Sequence, residues 1–130
     1  HGIETPPEYM AQAMYYDAEA VRKATAAMLD LPDPPTAIMF PDDVSSIGGR
    51  MEIVGRGLSI PGDISICGYD GVTLSKVMDP KLTTWEQDTK ELGRIAVDKL
   101  IERIENPHTS IPEQTIVKGR LLEGETVKPI

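Results

Sequence analysis

The stretch from Gly57 to Asp70, Gly-Leu-Ser-Ile-Pro-Gly-Asp-Ile-Ser-Ile-Cys-Gly-Tyr-Asp, constrains the fold more than any other part of the chain. Gly57 stops a helix, and Pro61-Gly62-Asp63 makes a turn. Ile64 to Tyr69 then form a short apolar strand that delivers a carboxylate, Asp70, at its carboxyl end. In open α/β sheets ligands bind in the crevice outside the carboxyl ends of the strands. A helix, turn, buried strand and terminal Asp therefore argue for a small-molecule pocket rather than a flat surface.

Around this unit, helical and strand patterns alternate. Asp17 predicts an N-cap for a helix to about Asp30, with Val21, Ala24, Met28 and Leu31 on one face. Leu31-Pro32-Asp33-Pro34-Pro35 ends it, and Thr36 to Phe40 reads as a buried strand. Asp43 predicts the next N-cap, ahead of a stripe of Val44, Ile47, Gly48, Met51 and Val54 that closes at Gly55 or Gly57. Gly71 to Lys81 is an irregular connection with room for one helical turn, and Leu82 to Gln87 is a strand. Asp88 caps a long helix, with Glu91 at the capping-box position and Leu92, Ile95, Ala96, Leu100 and Ile104 facing a core. Asn106-Pro107 ends that helix; Gln114 to Lys118 and Arg120 to Glu123 are β-prone, and Val127 begins a tail. Tyr9 to Tyr16 suits a strand or a helix by its local chemistry. The alternation predicts an α/β fold with a parallel sheet.

Charge excludes one class of partner. Thirteen Lys and Arg against 21 Asp and Glu give a net charge of −8, which opposes phosphate binding, and no basic run or recognition-helix signature is present. The single cysteine, Cys67, lies in an apolar strand, so no intramolecular disulfide forms and a cytoplasmic setting is favoured. With no basic neighbour to stabilise a thiolate, Cys67 reads as a small core residue and not a nucleophile. No run of apolar residues is long enough to span a membrane. No nucleophile–base pair, phosphate loop or metal-ligand spacing appears, so catalysis, cofactors and metals are not expected. His1 and His108 are isolated and read as solvated.

Several motifs appear in order along the chain: Pro35-Thr36-Ala37, Asp43, Gly48, Gly57-Leu58, Pro61-Gly62-Asp63-Ile64-Ser65, Gly68-Tyr69-Asp70 and Pro80-x-Leu82-Thr83-Thr84. That ordered set resembles the effector-binding core of the lactose-repressor/galactose-repressor (LacI/GalR) family of bacterial transcription regulators, from about Tyr15 to Thr126. The resemblance implies a parallel-sheet, three-layer αβα lobe of the periplasmic-binding-protein type. It also implies that the chain, His1 to Ile130, is the C-terminal portion of a longer, two-lobed core. DNA would then be bound only through an N-terminal helix-turn-helix that this chain lacks. The resemblance further implies a strand over Tyr9–Tyr16 and places residues from about 82 to 121 in elements that pair with the other lobe. The helix at Leu92–Glu105 would then expose its apolar face.

Three residues are candidates for a ligand. Tyr16 matches a family position where an aromatic stacks on the effector, and such a face suits a sugar or a purine; Tyr15 is its core or surface competitor. Asp42 matches a position where many relatives place a ligand-contacting Asn, and an ionised Asp there accepts only from hydroxyl or amine donors. Asp70 matches a residue that hydrogen-bonds the effector, with turn capping as the plainer role. Together they point to a sugar or other small polar effector. Val44, Ile47 and Met51 are candidates for a homodimer interface, although most of that stripe suits a core. Trp85 is read as packing. Two residues depart from the family pattern: Gly71 stands where Asp or Asn is usual, and Gly124 where Arg is. The alternative readings are a periplasmic sugar-binding protein of a transporter and, on fold alone, an α/β enzyme.

Overall fold

Three parallel strands, β1 (Ala37–Met39), β2 (Ser65–Asp70) and β3 (Thr83–Glu86), lie side by side in chain order, and β4 (Arg120–Leu122) follows β3 at the far edge. The computed structural model describes residues 5–107, 111 and 113–129. His1 and His108 lie outside these residues. The helices are α1 (Ala18–Leu29), α2 (Ser45–Gly55), α3 (Thr73–Val77) and α4 (Thr89–Glu105). The strand registers run Ile38 opposite Ile66 and Gly68 opposite Thr84; the carboxyl ends of β2 and β3 align at Asp70 and Glu86, while β1 ends opposite Cys67.

The core is aliphatic and small. Val21 of α1, Ile53 of α2, Ile38 and Phe40 at β1, Ile64 and Ile66 at β2, and Leu82 before β3 form one buried cluster. Two glycines let α2 approach its neighbours closely, Gly48 toward α1 and Gly49 toward Phe40 after β1. A Cβ at Gly48 would collide with the carbonyl of Ala18, and one at Gly49 would enter the ring of Phe40.

The α2 stripe is oriented differently from its sequence pattern. The helix buries its small residues, Ser45, Ser46, Gly48 and Gly49, together with Ile53. Val44 and Ile47 are half-buried, and Met51 and Val54 are more than half exposed. Close helix approach rewards the absence of side chains on the inner face, so the apolar stripe is left outside.

Residues 10–16 form no strand. A short 3-10 helix at Pro7–Tyr9 precedes them, and a turn at Tyr15-Tyr16 follows, with Tyr16 in the left-handed region at φ 60. The sheet begins at β1 instead, and a cavity of about 770 Å³ separates Ala11–Tyr15 from the inner faces of α1 and β1.

The chain divides into two compact units. The larger holds the residues up to Glu86 and those from Leu121 onward, while Gln87–Arg120 forms the smaller. In the smaller unit α4 is capped by Asp88, whose Oδ1 accepts from Glu91 N at 3.0 Å. None of its residues is buried; Leu92, Leu100 and Ile104 are exposed rather than facing a core. Gln114 to Lys118 is not a strand, and only Arg120–Leu122 extends into the sheet.

The residues beyond β4 are more than a tail. Thr126 is fully buried; its hydroxyl donates to Ile66 O at 2.7 Å and accepts from Thr83 N at 2.9 Å. Glu125 N donates to Lys81 O at 2.7 Å. This clip ties the amino ends of β2 and β3 together. It also accounts for Gly124, because a Cβ there would fall within 2.5–2.6 Å of Leu82 C and Thr83 N.

Candidate functional site

The carboxyl ends of β1 and β2 meet through two adjacent aspartates that do different work. Asp42 is 2 % exposed, and its carboxylate accepts from Ser45 N and Ser45 Oγ, each at 2.6 Å. It therefore satisfies the first free amide of α2, the role expected of Asp43. The register explains the exchange: Asp43 N donates to Tyr69 O at 2.9 Å, which draws Asp43 toward β2 and leaves Asp42 beneath the helix start.

Asp43 is 1 % exposed and bonds across three segments. Oδ1 accepts from Thr84 Oγ1 at 2.5 Å and Oδ2 accepts from Val72 N at 2.8 Å. Ser46 Oγ donates to its carbonyl at 2.6 Å. Gly68 makes room for this carboxylate, since a Cβ there would stand 2.5 Å from Oδ1. A buried carboxylate is tolerated when it receives several donors, here Thr84 Oγ1 from β3 and Val72 N from the turn after β2.

Asp70 sits half-buried at the tip of β2 with φ 103, and Gly71 follows with φ 70. A left-handed aspartate is uncommon, and consecutive left-handed residues turn the chain sharply away from the strand. Gly71 is required, because a Cβ there would fall 2.5–2.6 Å from Glu86 Cα and Cγ. Glu86, at the tip of β3, accepts from Lys76 Nζ at 2.7 Å. The Asp or Asn usual after Asp70 in the family would not fit against β3 here.

Tyr16 occupies the turn before α1 rather than a strand tip, and it is 66 % exposed. Asp17 holds the helix that follows, accepting from Ala20 N at 2.9 Å. Tyr15 is equally exposed and lines the cavity beside α1 and β1. That cavity is bounded by Val21, Ala24, Met28, Ile38 and Phe40, so its walls are apolar and lack the carboxylates of the strand tips. The carboxylates stand at the strand tips, not in this cavity.

Cys67, in the middle of β2, is partly buried, and burial pushes its thiol up from its ordinary value, away from a reactive thiolate. Among the described residues, no group of three or more His, Cys, Asp or Glu is placed to hold a metal. No helix of the described residues is long and apolar enough to cross a membrane. Thr84 and Val72 were not legible as site residues; the one signal was Gly68, a glycine inside an apolar strand, which marks a close approach.

The pattern of the periplasmic binding protein-like domain matches residues 1–127. The chain belongs to this family, in its LacI/GalR branch. It is 34 % identical over 125 residues to the HTH-type transcriptional repressor CytR of Escherichia coli K12, covering 96 % of this chain and 36 % of that protein. Among solved structures, it is similar to a LacI family transcriptional regulator from Enterococcus faecium with bound ribose. There the TM-score is 0.76 and the identity 29 %, over 87 % of this chain and 41 % of that one. A LacI family regulator from Arthrobacter sp. FB24 in complex with lactose gives a TM-score of 0.75 and 31 % identity, over 85 % and 41 %. The chain thus spans about two fifths or less of the length of these relatives.

Proposed function

We propose that this chain is most of the C-terminal lobe of an effector-sensing core, one half of a site for a sugar or similar small polar ligand. The observation that carries the reading is Asp70. A carboxylate at the tip of a buried parallel strand, held in a left-handed turn, stands where open α/β sheets receive ligands. Asp70 accepts hydrogen bonds from ligand hydroxyls, and Tyr16 offers an exposed aromatic face to the ligand ring. Asp42 is already engaged with Ser45 and serves the site from beneath, by fixing the start of α2. The bound ribose and lactose of the similar regulators support the ligand class.

The ligand's differential affinity for two arrangements of the core would shift the DNA affinity of a separate domain, and no chemical step is involved. The protein would work in the cytoplasm. The half-buried Val44 and Ile47, with the exposed Met51, support a homodimer through α2. A transporter's binding protein shares the architecture, but the relatives are repressors. The test is Asp70→Ala in the full gene product containing this chain, titrated calorimetrically with ribose, lactose and cellobiose. Loss of binding of the sugar that the unmutated protein takes supports the reading. Unchanged affinity removes Asp70 from the site.

A further inference from the structure

We infer that Asp43 is the positioning residue of the turn that presents Asp70, an inference that rests on the reading of Asp70 given above. Asp70 and Gly71 are consecutive left-handed residues, at φ 103 and φ 70. For a non-glycine residue such a conformation is costly and persists only where its surroundings over-determine it. Asp43 supplies that determination from both sides of the dipeptide. Its backbone N–H donates to Tyr69 O, the carbonyl just before the turn, at 2.9 Å. Its Oδ2 accepts from Val72 N, the amide just after the turn, at 2.8 Å. One buried residue thus brackets the strained Asp70 and the left-handed glycine after it.

The remaining contacts keep the bracket rigid. Oδ1 accepts from Thr84 Oγ1 at 2.5 Å, so β3 fixes the carboxylate plane. Gly68 leaves the space the carboxylate occupies, and Gly71 lies flat against Glu86 from the other side. A plain helix-capping role is already filled by Asp42, whose carboxylate accepts from Ser45 N. Asp43 belongs to the turn and not to α2 alone. Because its carbonyl accepts from Ser46 Oγ at 2.6 Å, the same residue also fastens the turn to the first turn of α2.

The geometry permits a narrow test. Val72 has φ −66, the value a proline ring imposes; Val72→Pro deletes the amide donor and sets a ring carbon where its hydrogen met Asp43 Oδ2, so the carboxylate must leave the turn. The experiment is backbone NMR of the 130-residue chain, reading the strong HN–Hα cross-peak within Asp70 that marks a positive φ. In Val72→Pro and Asp43→Ala this mark is expected to be lost while the amide shifts of β1 persist. Thr84→Val is expected to weaken it and Thr84→Ser to restore it. Should Asp43→Ala fail to fold, Val72→Pro and the Thr84 pair carry the test alone. A positive φ retained at Asp70 in a folded Val72→Pro protein would overturn the inference, as would equal effects of Thr84→Val and Thr84→Ser. No ligand enters the measurement. Failure of Asp70→Ala to alter sugar binding would remove Asp70 from the site and leave its dependence on Asp43 intact.

Discussion

Helices α2 and α4 invert what their sequences advertise. α4 is the longer, with 17 residues and an apolar stripe through Leu92, Leu100 and Ile104, yet none of its residues is buried. α2 has 11 residues, and its inner face is serine and glycine; it buries Ser45, Ser46, Gly48, Gly49 and Ile53. An amphipathic stripe states that a helix is fit to be covered; it does not state that the cover lies in the same unit. Small residues state something firmer, because they are needed where backbones come close and a side chain would collide.

The contrast can be broken or sharpened by measurement. The largest effect is expected in α2 from Ile53→Ala, which empties a fully buried site and should cost about 2–5 kcal/mol of stability in urea unfolding. Gly48→Ala should follow at about 1–3 kcal/mol, because the added methyl collides with the Ala18 carbonyl. A neutral result at Gly48 would mean that α1 yields easily and that close approach does not define this face. In α4, Leu100→Ser and Ile104→Ser should each lie within about 0.5 kcal/mol of the unmutated chain, as expected for exposed positions. A loss well beyond that would mean that the stripe is covered in solution, and light scattering would then distinguish self-association.

The smallest effect concerns charge. In the larger unit, Arg56 bonds to Glu52 Oε1 at 2.8 Å and Asp30 Oδ1 at 2.5 Å, and Arg22 also reaches Glu52. These bonds, that from Arg56 first, hold both carboxylates below their ordinary values near 4.5 and 3.8. A lowered folded value means stabilisation that is fully present above the ordinary value and is lost as pH falls through the folded one. In the smaller unit, the Lys99 ammonium lowers Glu113 in the same way, across a contact of 2.6 Å. Arg56→Ala should therefore raise the carboxyl NMR midpoints of Glu52 and Asp30 and leave that of Glu113 unmoved. A shift at Glu113 would show that the two units are electrostatically coupled.

The strands illustrate what was readable. Thr36–Phe40 and Ile64–Tyr69 were identifiable as largely apolar runs between turn signals and Leu82–Gln87 as a β-prone one, and the bounds of each lie within a residue of the observed strand. Asp17 and Asp88 were readable as caps because a cap is a contact over three residues. The strand that the resemblance implied over Tyr9–Tyr16 is absent, and the local chemistry there had suited a helix as well as a strand. Pattern gave the cap of α2 to Asp43, and the structure gives that contact to its neighbour Asp42. The decision came from Tyr69 O, many residues away in sequence but one hydrogen bond away in space.

By itself the sequence determined the local facts: helix starts and stops, a parallel α/β alternation, an acidic surface, and a carboxylate at the end of a buried strand. Each of these is fixed by residues within a few positions of one another. Only the tertiary structure decided which aspartate caps and which clamps, and which face of α2 turns inward. It also explained why glycine stands at residues 68, 71 and 124. Those outcomes depend on backbones from separate segments approaching within van der Waals distance, and the order of residues along the chain does not encode that proximity directly.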